Sequence, residues 1–113
     1  MTLDLFAGIP VRDYTPAVAW YERLIGAPPS FLPNDIEAVW ELAENRYCYI
    51  VVRPEHAGHG LHTLFVDDFD AWLLRIAVRG IEPADSETFG NGVRKVIFRD
   101  PDGNEIGLAG HPE

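Results

Sequence analysis

Apolar residues along this chain keep two spacings, and the changeover between them happens twice. Ile9-Pro10-Val11 and Leu64-Phe65-Val66 are short strand-like runs, each stopping at an aspartate, in Arg12-Asp13 and Asp67-Asp68. Helical spacing follows each run: Val18, Tyr21, Leu24 and Ile25 in the first stretch, Leu73, Ile76 and Ala77 in the second. Gly26 and Gly80 are placed to end the two helices, with Pro28 and Pro83 just beyond, where a helix cannot continue. Thr15 is the expected N-cap of the first helix with Pro16 at its first position, and Asp68 or Asp70 caps the second. Trp20 and Trp72 then read as helix-to-sheet packing.

Period-two runs come after each helix. They are Ala38–Leu42 and Tyr47–Val52 in the first half, turning at Glu44-Asn45-Arg46, and Val93–Phe98 and Glu105–Ala109 in the second. The joint Asp100-Pro101-Asp102-Gly103-Asn104 is strong turn chemistry, because Pro presets φ and Gly accepts φ > 0. A strand or an irregular loop is expected near Thr88-Phe89, before the break at Gly90-Asn91-Gly92. Val11 and Val66, Asp13 and Asp68, and Pro28 and Pro83 all lie 55 positions apart (66 − 11, 68 − 13, 83 − 28). Matches in the same order point to an internal duplication. The expected organisation is one α+β domain over 1–113, with module one at about 3–54 and module two at about 60–110.

Composition narrows the partners. A net charge of −9 argues against nucleic acid and favours, if anything, a cationic ligand. No apolar stretch approaches the roughly 20 residues of a membrane span. Met1-Thr2-Leu3-Asp4 lacks the basic start of a signal peptide, and the single cysteine suits a reducing, cytoplasmic setting. Cys48, in an apolar run, reads as packing. The densest candidate chemistry is His56-Ala57-Gly58-His59-Gly60-Leu61-His62, three of the four histidines within seven residues. A metal site is its obvious reading, yet His56 and His59 fall in a Gly-containing loop with no fixed geometry.

The duplicated pattern and FRDPDGNEIGL (Phe98 to Leu108) resemble the vicinal oxygen chelate superfamily, which includes glyoxalase I, extradiol dioxygenases, and fosfomycin- and bleomycin-resistance proteins. VRDYTPAVAWYERLIGA is similar to that family's first strand-to-helix stretch, and LFVDDFDAWLLRIAVRG to its second. The resemblance covers about residues 5–109. It implies paired βαβββ modules whose sheets form a curled, cup-shaped sheet with helices on the outer face, commonly completed by a second subunit. It also implies cation-ligand positions at Phe6, Leu61 and Gly107 and, on the first module's closing strand, at about Val51. None of these carries an oxygen or imidazole side-chain donor, so neither a metal nor any other cofactor is expected.

The same alignment sorts the strands by face. Leu61, Thr63 and Phe65 are expected inside the cup, with His62, Leu64 and Val66 toward the helices; a one-residue slip would reverse this. The expected ligand-binding set is Phe6, Trp40, Tyr47, Tyr49, Leu61, Phe65, Lys95, Ile97 and Glu105. No catalytic constellation is legible. The implied function is a metal-free small-molecule binding (sequestration) protein, similar to bleomycin-resistance proteins, taking an amphipathic or cationic ligand as a homodimer. The alternative is a superfamily lyase, isomerase or dioxygenase with a displaced metal site or Glu105 as general base.

Overall fold

The computed structural model describes residues 2–113; Met1, where the stretch read for a signal-like start begins, lies outside them. The first half runs β1 (Leu5–Val11), α1 (Tyr14–Ile25), β2 (Phe31–Asn34), β3 (Glu37–Ala43) and β4 (Arg46–Val52). The second runs β5 (Leu61–Phe65), α2 (Phe69–Val78), β6 (Asp85–Thr88), β7 (Arg94–Arg99) and β8 (Glu105–Gly110). Each half makes a four-stranded sheet of the same topology, β1-β4-β3-β2 and β5-β8-β7-β6. In both, the opening strand lies parallel to the closing one and the other pairings are antiparallel. Two βαβββ units of an α+β fold result.

Local chemistry explains the element ends. α1 starts two residues earlier than Thr15 would place it, with Asp13 extended at the N-cap position and making no side-chain cap. Pro16 is tolerated there because first-turn N–H groups have no helical acceptor to lose. Asp68 takes the same place before α2. Gly26 ends α1 at φ 89°, its N–H donating to Glu22 O at 2.7 Å. The run near Thr88 is a strand, β6. β2 was not anticipated: its four residues, Pro33 among them, are all exposed and show no alternation.

Packing follows the alternation. Ile9 and Val11 on β1, Ile50 on β4, and Ala38 and Trp40 on β3 are buried with Ala17, Trp20, Tyr21 and Leu24 of α1. Val96, Phe98, Ile106 and Leu108 are buried with Phe69 and Ile76 of α2. These side chains form one cluster across both halves, so each half's helix-covered face is part of a common core.

The Asp100–Asn104 turn fastens that arrangement with polar groups. Asp100 Oδ1 accepts from the backbone N–H groups of Asp102 and Asn104, both at 2.9 Å. Its Oδ2 accepts from the Tyr21 hydroxyl of α1 and from Asn104 Nδ2, both at 2.8 Å. Asn104, fully buried, also donates to Pro10 O at 2.8 Å, and its Oδ1 accepts from Gly60 N at 2.7 Å and Gly58 N at 3.1 Å. Arg12 adds its backbone N–H to Asp102 Oδ2 at 3.1 Å. Burial first, and then the Asp100 charge, push the Tyr21 phenol well above its ordinary pKa, which keeps it a donor. Gly58 is required at this contact: at φ 93° a Cβ would stand 2.6 Å from the Asp102 carbonyl oxygen.

Asn104→Ala leaves two N–H groups and the Pro10 carbonyl without partners. It should lower unfolding stability by roughly 3 kcal/mol in a urea titration. A loss under about 0.5 kcal/mol, the level of an ordinary surface substitution, would remove the turn as the fastening point.

Candidate functional site

Each sheet has a second face that no helix covers. On β1, Ile9 and Val11 are buried while Phe6 is 48% exposed; on β5, Leu61 and Phe65 are 75% and 63% exposed while His62, Leu64 and Val66 are half-buried. Ladder partners share a face, so register identifies the rest. Phe6 pairs Tyr47, Gly8 pairs Tyr49 and Pro10 pairs Val51 in the first sheet. Leu61 pairs Glu105, Thr63 pairs Gly107 and Phe65 pairs Ala109 in the second, with Lys95 beside Ala109 and Ile97 beside Gly107. Phe6, Tyr47 and Tyr49 thus share one open face, and Leu61, Phe65, Lys95, Ile97 and Glu105 share the other. No strand of one sheet pairs with a strand of the other, yet Tyr47 of the first set and Leu61 and Phe65 of the second line one cavity between the halves.

The first face is an aromatic wall. Phe6 and Tyr47 stack with ring centroids 4.3 Å apart and planes 5° from parallel. Tyr49 lies across Gly8, where a Cβ would meet its Cζ and hydroxyl at 2.7 Å. Glycine on β1 is what lets that ring lie flat against the strand. Glu41 pairs with Tyr47 on the same face. The Tyr47 phenol is shifted up, by desolvation first and then by the Glu41 charge.

The second face is mixed. Lys95 lies across Gly107, its Cε 2.6 Å from where a Cβ would stand, with Thr63 Oγ1 at 3.1 Å from the same point. Glu105 accepts from Arg99 Nη1 at 2.7 Å, so the one carboxylate considered as a general base is engaged by a guanidinium. Phe65 meets the His111 ring edge-on at 5.9 Å.

Two placements need correction. Trp40 is not on the open face: it is 1% exposed, its Nε1 donates to Ala27 O at 2.9 Å, and its ring sits 6.1 Å from Tyr21. In the ladder Ala38 pairs Ile50 and Trp40 pairs Cys48, which puts that side of β3 toward α1. Val51 is likewise not the first-sheet counterpart of Gly107. Gly107 pairs Thr63, whose counterpart 55 positions earlier is Gly8, and Gly8 pairs Tyr49. Glu41 and Arg99, missed in the sequence, become visible only through register, opposite Tyr47 and Glu105.

These groups do not fit a divalent cation. Phe6, Leu61, Gly107 and Tyr49 offer one phenol between them, and the Lys95 stem fills the space over Gly107. Among the described residues no three His, Cys, Asp or Glu side chains gather as a metal-binding group. His56 ends a short 3-10 turn (Pro54–His56), His59 is exposed in the loop and His62 points to the helix side of β5. Burial pushes the Cys48 thiol up to about 11, away from nucleophile chemistry.

Two βαβββ units, each with one helix-covered and one open face, define a chain of the vicinal oxygen chelate type. The chain belongs to the Glyoxalase/Bleomycin resistance protein/Dioxygenase superfamily, whose family model matches residues 2–108. It is similar to a glyoxalase / bleomycin resistance protein from Catenulispora acidiphila, at 54% identity and TM-score 0.94 over 98% of this chain and 100% of that one. More distant likenesses, in fold alone, are a bleomycin-binding protein complexed with bleomycin (21% identity, TM-score 0.76, 99% and 100% covered) and a lactoylglutathione lyase from Agrobacterium tumefaciens (19%, 0.76, 97% and 94%). No curated protein matches the chain significantly.

Since no folding energy is tied to a cation in this donor set, EDTA should leave the melting temperature of untagged protein unchanged. A fall of several degrees would restore the histidine-rich loop as a metal site.

Proposed function

We propose that the chain is a metal-free binding protein that sequesters an amphipathic or cationic small molecule between aromatic and mixed walls, as a homodimer in the cytoplasm. The stacked Phe6–Tyr47 pair, with Tyr49 laid over Gly8 and Glu41 alongside, carries the reading. Rigid exposed rings next to a carboxylate suit a flat cationic ligand, which gains stacking and charge attraction together. Leu61, Phe65, Lys95, Ile97 and Glu105 would supply the opposite wall. A solved relative of the same fold is described as binding bleomycin, which makes that drug the first ligand to try.

The dimer rests on exposed apolar surface. Leu5, Phe6, Leu61 and Phe65 stand open at 58, 48, 75 and 63%, and β1 and β5 each end a sheet with one unpaired edge. Pro10 already removes one donor from the β1 edge. A second copy would cover these rings and bring one chain's aromatic wall opposite the other's mixed wall. The lone thiol of Cys48 and the absence of a described helix long and apolar enough to cross a membrane are compatible with a cytoplasmic setting.

Calorimetric titration with bleomycin tests the wall. Phe6→Ala and Tyr49→Ala should each weaken binding by about 1–3 kcal/mol, roughly tenfold or more, while His59→Ala changes almost nothing. Loss of binding in the histidine variant with both ring variants intact would point to another surface. Light scattering should give twice the 12.7 kDa chain mass at micromolar concentration, and a stable monomer would count against the shared cup.

A further inference from the structure

The open face of the second sheet carries a cation that the chain itself leaves without a partner. Lys95, Ile97 and Arg99 of β7 share this face, and Glu87 of β6 stands beside Lys95 in the ladder. The lysine does not turn to that carboxylate, and it forms no salt bridge among the described residues. Its stem runs the other way, across β8, where Gly107 leaves a groove. Lys95 Cε lies 2.6 Å from the point where a Cβ of residue 107 would stand, and Thr63 Oγ1 of β5 lies 3.1 Å from the same point. We propose that Lys95 and Thr63 form an oxyanion site, which takes a carboxylate group of the bound small molecule. The site deepens the function proposed above, and rests on it only in that this wall must face a ligand.

Three features fit that chemistry. An ammonium and a hydroxyl side by side offer a charged and a neutral donor, which the two oxygens of a carboxylate can accept together. The Lys95 stem is half-buried in its groove, so it has less rotamer freedom to lose on binding than a free surface lysine. The nearby acids are paired or peripheral. Arg99 Nη1 donates to Glu105 Oε1 at 2.7 Å, and Asp85 and Glu87 stay exposed on the β6 edge strand. Leu61, Phe65 and Ile97 share the face and give the hydrocarbon part of such a ligand an apolar bed.

Fluorine NMR with 4-fluorobenzoate and 4-fluorobenzamide, alike in shape and different in charge, tests the site on untagged protein. The benzoate should bind saturably and about tenfold more tightly than the amide, as a charge-assisted hydrogen bond predicts. Lys95→Met keeps an apolar stem over Gly107 and should abolish the preference, while Thr63→Val should reduce it about threefold. Gly107→Ala changes no charge but displaces the lysine stem, so it should also cut the preference at least threefold, by roughly the worth of one hydrogen bond. A preference that survives Gly107→Ala is long-range attraction and overturns the site. So does one that survives Lys95→Met, or a benzoate that does not saturate by about 10 mM. Bleomycin separates this inference from the broader one. Drug binding with equal affinity for benzoate and benzamide removes the oxyanion site alone. A lysine-dependent preference without drug binding upholds the site and removes bleomycin as the ligand.

Discussion

The buried carboxamide of Asn104 is the contact on which the arrangement of the two halves depends. One side chain reaches the end of β1 through Pro10, the loop before β5 through Gly58 and Gly60, and the Asp100 carboxylate that holds Tyr21 of α1. Apolar packing between the halves is non-directional and would tolerate sliding. A buried amide with every donor and acceptor engaged does not, because any shift leaves several polar groups unpaired at once. The turn therefore sets where β1 stands relative to β5, and with it the shape of the cleft between the halves and the direction of both open faces.

Within each half the same strands serve two ends. Residues of one parity build the core, and residues of the other parity are left on the uncovered face. Ile9 and Val11 are buried because α1 covers them, and that commits Phe6 and Gly8 to the uncovered side. A one-residue slip in β1 would place Phe6 against the helix and Ile9 in the open. Glycine enters as the complement of a large neighbour: Gly8 lies under Tyr49 and Gly107 under Lys95. A side chain at either position would lift its neighbour off the sheet.

The two halves, their helices and the fastening turn were legible because period, glycine and proline all pointed one way at each site. The alternation of β5 was legible too: Leu61, Thr63 and Phe65 stand exposed, with His62, Leu64 and Val66 drawn in. What failed was the assignment of strands that depend on a partner. Trp40 belongs to a run apolar on both parities, Ala38-Val39-Trp40, so periodicity could not say which side faces α1, and the indole found its acceptor at Ala27 O. Val51 was misplaced by two residues because pairing is a property of two strands. β2 was illegible for a different reason: its exposed Phe31-Leu32-Pro33-Asn34 has no buried face to impose alternation, and pairing with β3 alone makes it a strand.

Charge adds a constraint that neither pattern nor packing supplies. The chain carries nine more acidic than basic groups, yet its two open faces differ. The aromatic face has Glu41 beside Tyr47, whereas the second face has Lys95 over Gly107 and Arg99 bonded to Glu105. An acidic surface draws a cation in from a distance, though salt screens that attraction beyond roughly 10 Å. In the proposed site, stacking and the local carboxylate would decide the pose at contact, and a lysine on the facing wall would favour a ligand whose far end is polar or anionic over one positive throughout. On that proposal the long-range field and the short-range walls would select on different features. A molecule with a flat cationic part and a separate oxygen-rich part satisfies both.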